Sequence, residues 1–265
     1  MRVIFALWLR NFKNFLRNRT ALIFNLIFPF FFIFVFSGVF RLGDIDNHIA
    51  FMLAGIIVVI IFESTTRISS STIDDMTGGF MKEVLVSPIS RLNIAAAQFV
   101  SSATVSTIQG LILYIVGLFL GMSLTPMALL LALPVMIFTG LVFSGFGLFI
   151  ATKAKNIQTF QAITLAITMP LIFLSGAYIP ISMLPTALQW VSYFNPLTYA
   201  VVLFRAITLG DSSIRVEIEG FTIGPLIASG ILAAFGLLFL ILSTWSFLKV
   251  DFSKMNRNKK DSIEL

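Results

Sequence analysis

Sixty-one consecutive residues, Leu92 to Thr152, contain no Asp, Glu, Lys, Arg or His. A water-facing domain carries about 25% charged residues, so this run has no place on an aqueous surface. One membrane crossing takes about 20 apolar residues as a helix. The run breaks once, at Gly121–Pro126 (GMSLTP), and predicts two spans, about 92–120 and 127–152. The rest of the chain agrees: 58% of its 265 residues are hydrophobic, 11% are charged, and 29 are Phe. The fold class expected is an all-α integral membrane protein.

Residues 1–20 hold five basic residues and no acid. Wound as a helix, Ile4, Phe5, Trp8, Leu9, Phe12, Phe15 and Leu16 share one face, and Arg2, Arg10, Lys13 and Arg17 the other. That pattern predicts an interfacial amphipathic helix lying in the headgroup plane. Arg10, Lys13 and Arg17 interrupt any apolar core that a cleavable signal would need. Further spans are expected at about 21–40, 49–72, 156–178 and 221–248, with a charged tail over 251–265. Between 178 and Arg205 the uncharged run contains Pro180, Pro185 and Pro196, which argue against a further crossing and for short re-entrant helices.

Counting basic residues fixes the expected topology. With six spans and both termini inside, fifteen of the 18 Lys and Arg residues fall inside, and only Arg41, Arg205 and Arg215 fall outside. A seventh crossing would export the basic tail, against the positive-inside rule. The net charge of +6 is thereby explained as orientation rather than nucleic-acid binding.

What is missing excludes whole classes of chemistry. No Gly-Lys pair occurs, so there is no Walker A phosphate loop. His48 is the only histidine and no Cys is present, which removes HExxH zinc sites, a Ser–His triad and thiolate chemistry. Glu63 is the one acid expected at membrane depth, so a two-aspartate intramembrane protease is excluded as well.

Three features remain. The segment 74–91 (DDMTGGFMKEVLVSPISR) is longer than a connector needs. Its centre reads as a short amphipathic helix, with Phe80, Met81, Val84 and Leu85 on one side and Lys82 and Glu83 elsewhere. Such a helix either rests on the membrane or docks a partner. Glu63 and Arg67 stand at i,i+4 and can pair, either inside a wet cavity or at headgroup level. Two polar stripes recur at helical spacing: Gln98, Ser102, Ser106 and Gln109 in the third span, and Gln158, Gln161, Thr164 and Thr168 in the fifth. The first reads as hydrogen-bonding glue between helices. The second reads equally as glue or as the lining of a path.

Together these features resemble the ATP-binding-cassette (ABC) type-2 export permeases, in particular the daunorubicin-resistance-like branch. KEVLVSPISR (Lys82–Arg91) is similar to the family's segment between spans two and three. SGAYIPISMLPTALQWVSYFNPLTYAVVLFRAI (Ser175–Ile207) is similar to its signature near the fifth span. The resemblance covers nearly the whole chain and implies a cytoplasmic coupling helix at Phe80–Val86, with Lys82 and Glu83 as polar contacts to an ATPase. It also implies an outer re-entrant gate at 180–204, including Pro180, Pro185, Asn195, Pro196 and Tyr199. The family's acid in the inner half of span two has a loose counterpart in Glu63.

The function so implied is that of a non-catalytic permease subunit in the cell membrane, exporting a drug-like, lipid or glycoconjugate substrate. The partners implied are a separate ABC ATPase, a second permease copy and membrane lipid. No cofactor is expected on this chain, because ATP and Mg would sit in the ATPase. A translocation path would run past Glu63, Arg67, Gln158, Gln161, Thr164 and Thr168. The alternative is a secondary transporter or channel that uses no ATP, although such carriers commonly hold midplane acids.

Overall fold

A computed structural model describes residues 2–17, 23, 27, 31, 48–77, 90–119, 126–210, 216–218 and 221–249. Apart from positions 23, 27 and 31, the expected first span lies outside the described residues, as do the expected coupling helix (Phe80–Val86) and the tail from 251. The elements in chain order are α1 (Arg2–Arg17), α2 (His48–Thr77), α3 (Arg91–Phe119), α4 (Pro126–Lys153) and α5 (Ile157–Leu174). They are followed by a 3₁₀ turn (Ile181–Met183), α6 (Thr186–Tyr193), α7 (Pro196–Thr208), a hairpin of β1 (Val216–Ile218) and β2 (Phe221–Ile223), and α8 (Pro225–Leu248). Among the described residues, five helices are long and apolar enough to cross a membrane: α2, α3, α4, α5 and α8.

Within the hydroxyl-rich stretch of α2, side chains bond back to the helix's own backbone. Thr65 Oγ1 donates to Ile61 O at 2.6 Å, Thr66 Oγ1 to Phe62 O at 2.9 Å and Ser69 Oγ to Thr65 O at 3.2 Å. Each donor is thus satisfied without water, as a hydrocarbon setting demands. The α4–α5 turn is tight because Asn156 caps α5, its Oδ1 accepting from Thr159 N at 2.8 Å.

α4 is the hub of the bundle, packing on α2, α3 and α8. Three of its glycines make the close approaches. A Cβ at Gly140 would meet Ala103 and Ser106 of α3, one at Gly147 would meet Thr66 and Ser69 of α2, and one at Gly145 would meet the α8 backbone. Small residues at helix crossings let backbones approach where lipid supplies no hydrophobic drive. The stripe Gln98, Ser102, Ser106 and Gln109 is buried in this core, and Gln98 Nε2 donates to Ile68 O of α2 at 3.1 Å.

Several boundaries differ from the sequence expectation. α2 runs on to Thr77 instead of ending near 72. α5 ends at Leu174 instead of 178, because Gly176 adopts φ +78° and turns the chain. α8 begins at Pro225 instead of 221, because Phe221–Ile223 pair antiparallel with Val216–Ile218.

α1 also departs from a simple apolar-in, basic-out placement. It lies against α3, with Trp8 Nε1 donating to Thr104 Oγ1 at 3.2 Å and Asn11 Nδ2 donating to Gln98 Oε1 and Ser101 Oγ at 3.3 Å each. Arg10 turns inward and pairs with Asp75 near the end of α2, while Phe5 is 61% exposed. The apolar face is therefore left partly for lipid, and Trp8, Arg10 and Asn11 are what dock. Asp75→Asn should cost about 1 kcal/mol, the scale of a partly exposed ion pair. The thermal midpoint of the detergent-solubilised protein should fall by a few degrees, with Arg10→Ala adding little on top. Fully additive losses would show that the pair is not coupled.

Candidate functional site

α2 and α5 carry the polar side chains that the bundle core does not use. On α2, Glu63, Thr66, Arg67 and Ser70 recur at three- and four-residue steps and share one stripe. On α5, Phe160, Gln161, Thr164, Leu165 and Thr168 do the same. The two stripes face one another across an open cleft of about 220 Å³ lined by these nine residues.

The cleft exists because α5 packs lightly. Only Phe160, Thr168 and Ile172 of its 18 residues are buried. Gln161 and Leu165 are exposed, and with Thr164 and the buried Thr168 they line the cleft. Thr164 Oγ1 is buried with no hydrogen-bond partner among the described residues. A buried hydroxyl without a partner costs about 1–3 kcal/mol.

Glu63 and Arg67 stand on an unbroken helix, with Glu63 about 22 Å along the axis from His48. Both stand within the helix, ten or more residues from either of its ends. Of the expected path residues, the structure brings Glu63, Arg67, Gln161, Thr164 and Thr168 together, whereas Gln158 is exposed and does not line the cleft. Thr66, Ser70, Phe160 and Leu165 do not stand out in the sequence, yet they complete the lining. Their only signal is a position one, three or four residues from Glu63, Arg67 or Gln161, and it has no meaning until the two helices are known to face each other.

The arrangement offers a carboxylate, a guanidinium, an amide and hydroxyls beside apolar surface. That set can solvate a polar group within an otherwise apolar bundle. Among the described residues, no group of three or more His, Asp or Glu could hold a metal ion.

The segment after α5 forms a cap. Pro180 and Pro185 precede the 3₁₀ turn and α6, where a missing N–H costs nothing. Asn195 caps α7 by accepting from Leu197 N at 3.0 Å, with Pro196 in the first turn. Its Nδ2 donates to Leu171 O of α5 at 2.7 Å, and Tyr199 Oη donates to Tyr193 O. The five expected gate residues thus build the turns and caps of this region, with Asn195 tying it to α5.

The sequence matches the family described as ABC-2 type transporter over residues 2–209. It is similar to "Nodulation protein J" of Rhizobium leguminosarum bv. viciae, 29% identical over 220 residues that cover 78% of this chain and 82% of the relative. It is similar to "Putative transport permease ycf38" of Cyanophora paradoxa, 28% identical over 76% of this chain and 72% of that one. A shorter similarity, 28% over 52% of this chain and 38% of the relative, links it to "Probable multidrug ABC transporter permease YbhR" of Escherichia coli K12.

Proposed function

Since the chain belongs to the ABC-2 type transporter family, we propose that it is the non-catalytic permease subunit of an ATP-driven exporter. Two permease copies, identical or different, assemble with separate ATPase subunits that bind ATP and Mg. The chain crosses the cell membrane six times with both termini in the cytoplasm, the first crossing lying over 21–40. The segment containing Phe80, Met81, Lys82, Glu83, Val84 and Leu85 joins Thr77 of α2 to α3 and meets the ATPase. Closure of the ATPases on ATP moves these segments, and the paired permeases pass from inward-open to outward-open. The cap containing Pro180, Pro185, Asn195, Pro196 and Tyr199 closes the outer side.

The observation that carries this reading is the polar cleft between α2 and α5. It suits an amphipathic substrate, drug-like, lipid or glycoconjugate, whose polar group meets the Glu63, Arg67 and Thr164 side while its apolar part meets Phe160 and Leu165. The test is transport by the permease–ATPase complex in vesicles, which should require ATP hydrolysis. Thr164→Leu with Thr168→Leu should fill the cleft and lower transport about tenfold, the kinetic equivalent of one or two lost polar contacts. The ATPase should remain bound. One observation favours a second reading: Glu63, midway along α2 in that cleft, is placed as a proton- or cation-coupled carrier would place it. Transport that follows an ion gradient and ignores ATP would establish that alternative.

A further inference from the structure

Arg205 lies on α7, and 5% of it is exposed. Arginine is almost never this buried without an acid beside it. Among the described residues no carboxylate forms an ion pair with it. Its guanidinium instead directs three donors to backbone carbonyls. Nε donates to Phe51 O at 3.0 Å, Nη1 to Gly176 O at 2.9 Å and Nη2 to Ala177 O at 2.9 Å. The plane also stacks on the Phe51 ring, 3.5 Å from its centroid.

These acceptors belong to two separate places: the first turn of α2 and the turn that leaves α5. Both neighbouring residues are shaped for the contact. Gly176 has φ +78°, a conformation that side-chain-bearing residues rarely adopt. Gly55 leaves the space that brings α2 against this turn, since a Cβ there would lie 2.4 Å from Ala177 O and 2.7 Å from Arg205 Nη2. A leucine could have filled such a site with no buried charge. An arginine makes sense where a fixed fork must hold several carbonyls in one geometry.

α2 spans about 45 Å. One end leads directly into the segment 78–89, and the other is tied by Arg205 to the α5 exit and to α7. The body of α5 is not tied in the same way, with half of its residues exposed and the cleft between it and α2.

We propose that Arg205 is a positioning residue that pins α2, the turn 175–180 and α7 into one body, so that displacement at the inner end of α2 carries the outer cap while α5 pivots beneath it. This rests on the permease reading. The cleft then opens and closes by motion of α5, and the pin stays made throughout the cycle.

The chain has no Cys, so paired spin labels can be placed on otherwise native protein. In the reconstituted permease–ATPase complex, Asp74→Cys with Ser182→Cys reports the inner end of α2 against the cap, and Gln158→Cys with Ser182→Cys reports the inner end of α5 against it. On passing from the nucleotide-free to the vanadate-trapped state, the first distance should hold and the second should shift. Arg205→Lys keeps the charge but cannot span the three carbonyls. It should broaden the first distance and lower transport about tenfold or more while ATP hydrolysis persists, a split that simple loss of stability does not produce. A first distance that shifts in the wild type overturns the pin, as does wild-type transport by Arg205→Lys. If Arg205→Lys fails to assemble, the two wild-type distances still decide. A wild-type complex that assembles but shows no ATP-driven transport removes the permease reading, and the pin falls with it.

Discussion

Gly145→Leu is expected to abolish the folded, monodisperse protein in detergent. A Cβ at this position would lie 2.8 Å from the carbonyl carbon of Phe239 and 2.9 Å from Leu240 N. Those are backbone atoms of α8 and cannot rotate aside as a side-chain tip would. A leucine therefore pushes α8 off α4 along the whole crossing. That separation breaks the Phe146–Phe239 ring pair at 5.5 Å and the Thr152 Oγ1 to Ser246 Oγ hydrogen bond at 2.8 Å. The seat of Gly236 on Val142 goes as well. Overpacking of a well-filled core costs about 1–3 kcal/mol even where side chains can yield. A backbone clash exceeds that and consumes much of a typical stability of about 5–15 kcal/mol. Size-exclusion profiles and thermal midpoints should show aggregation, or a fall of about 10 °C or more. Gly230→Ala on α8 is the control. Nothing lies within 4 Å of the added carbon there, so the midpoint should hold or rise. An unchanged midpoint for Gly145→Leu would mean that α4 and α8 do not cross at this glycine.

The same glycines show where sequence reasoning stops. The 61-residue uncharged run and the GMSLTP break are strong signals because charge at membrane depth is so costly. They stand in the structure as α3 and α4. The polar stripe of α3 is legible as a buried face, but its role as glue holds only in part: Gln98 bonds across to α2, whereas Ser106 Oγ turns to its own Ala103 O and Ser102 Oγ is buried without a partner among the described residues. Gly140, Gly145 and Gly147 carry no such signal, because which neighbour each meets depends on the angle at which helices cross. Both walls of the cleft are visible as stripes, but not that they oppose one another. That is set by the light packing of α5, a property of the assembled bundle.

Charge misleads in two places. By its spacing Arg10 belongs to the basic, headgroup-facing side of an interfacial helix, yet it pairs with Asp75 of α2. By its position in the chain Arg205 is an outer-loop cation, yet α7 folds it beneath the cap, where backbone carbonyls replace water. In both cases the decisive partner lies far away in sequence, by 65 residues for Arg10 and by 154 for the most distant acceptor of Arg205. A single sequence gives no hint of such pairings.

Phe80→Asp combined with Leu85→Asp should remove the ATPase from the purified permease altogether and bring transport to background. The segment between Thr77 and Ser90 is longer than a turn between antiparallel helices requires. Its apolar residues, Phe80, Met81, Val84 and Leu85, fall on one face when it is wound as a helix, and Pro88 stops it. A short amphipathic helix offers a partner two or three anchors, and each buried anchor contributes about 2 kcal/mol or more. Losing two, and placing carboxylates in their pockets, amounts to about 4 kcal/mol, or roughly a thousandfold in affinity. Glu83→Lys leaves the anchors in place and reverses one rim charge, so its effect should be smaller, a transport defect with the ATPase partly retained. The permease itself should melt as the wild type does. That separates loss of a partner from loss of fold, because neither substituted residue belongs to α2, α3 or α4. Full recovery of the ATPase with the double variant would move the docking site elsewhere. Recovery of wild-type transport as well would leave the segment with no role beyond resting on the membrane.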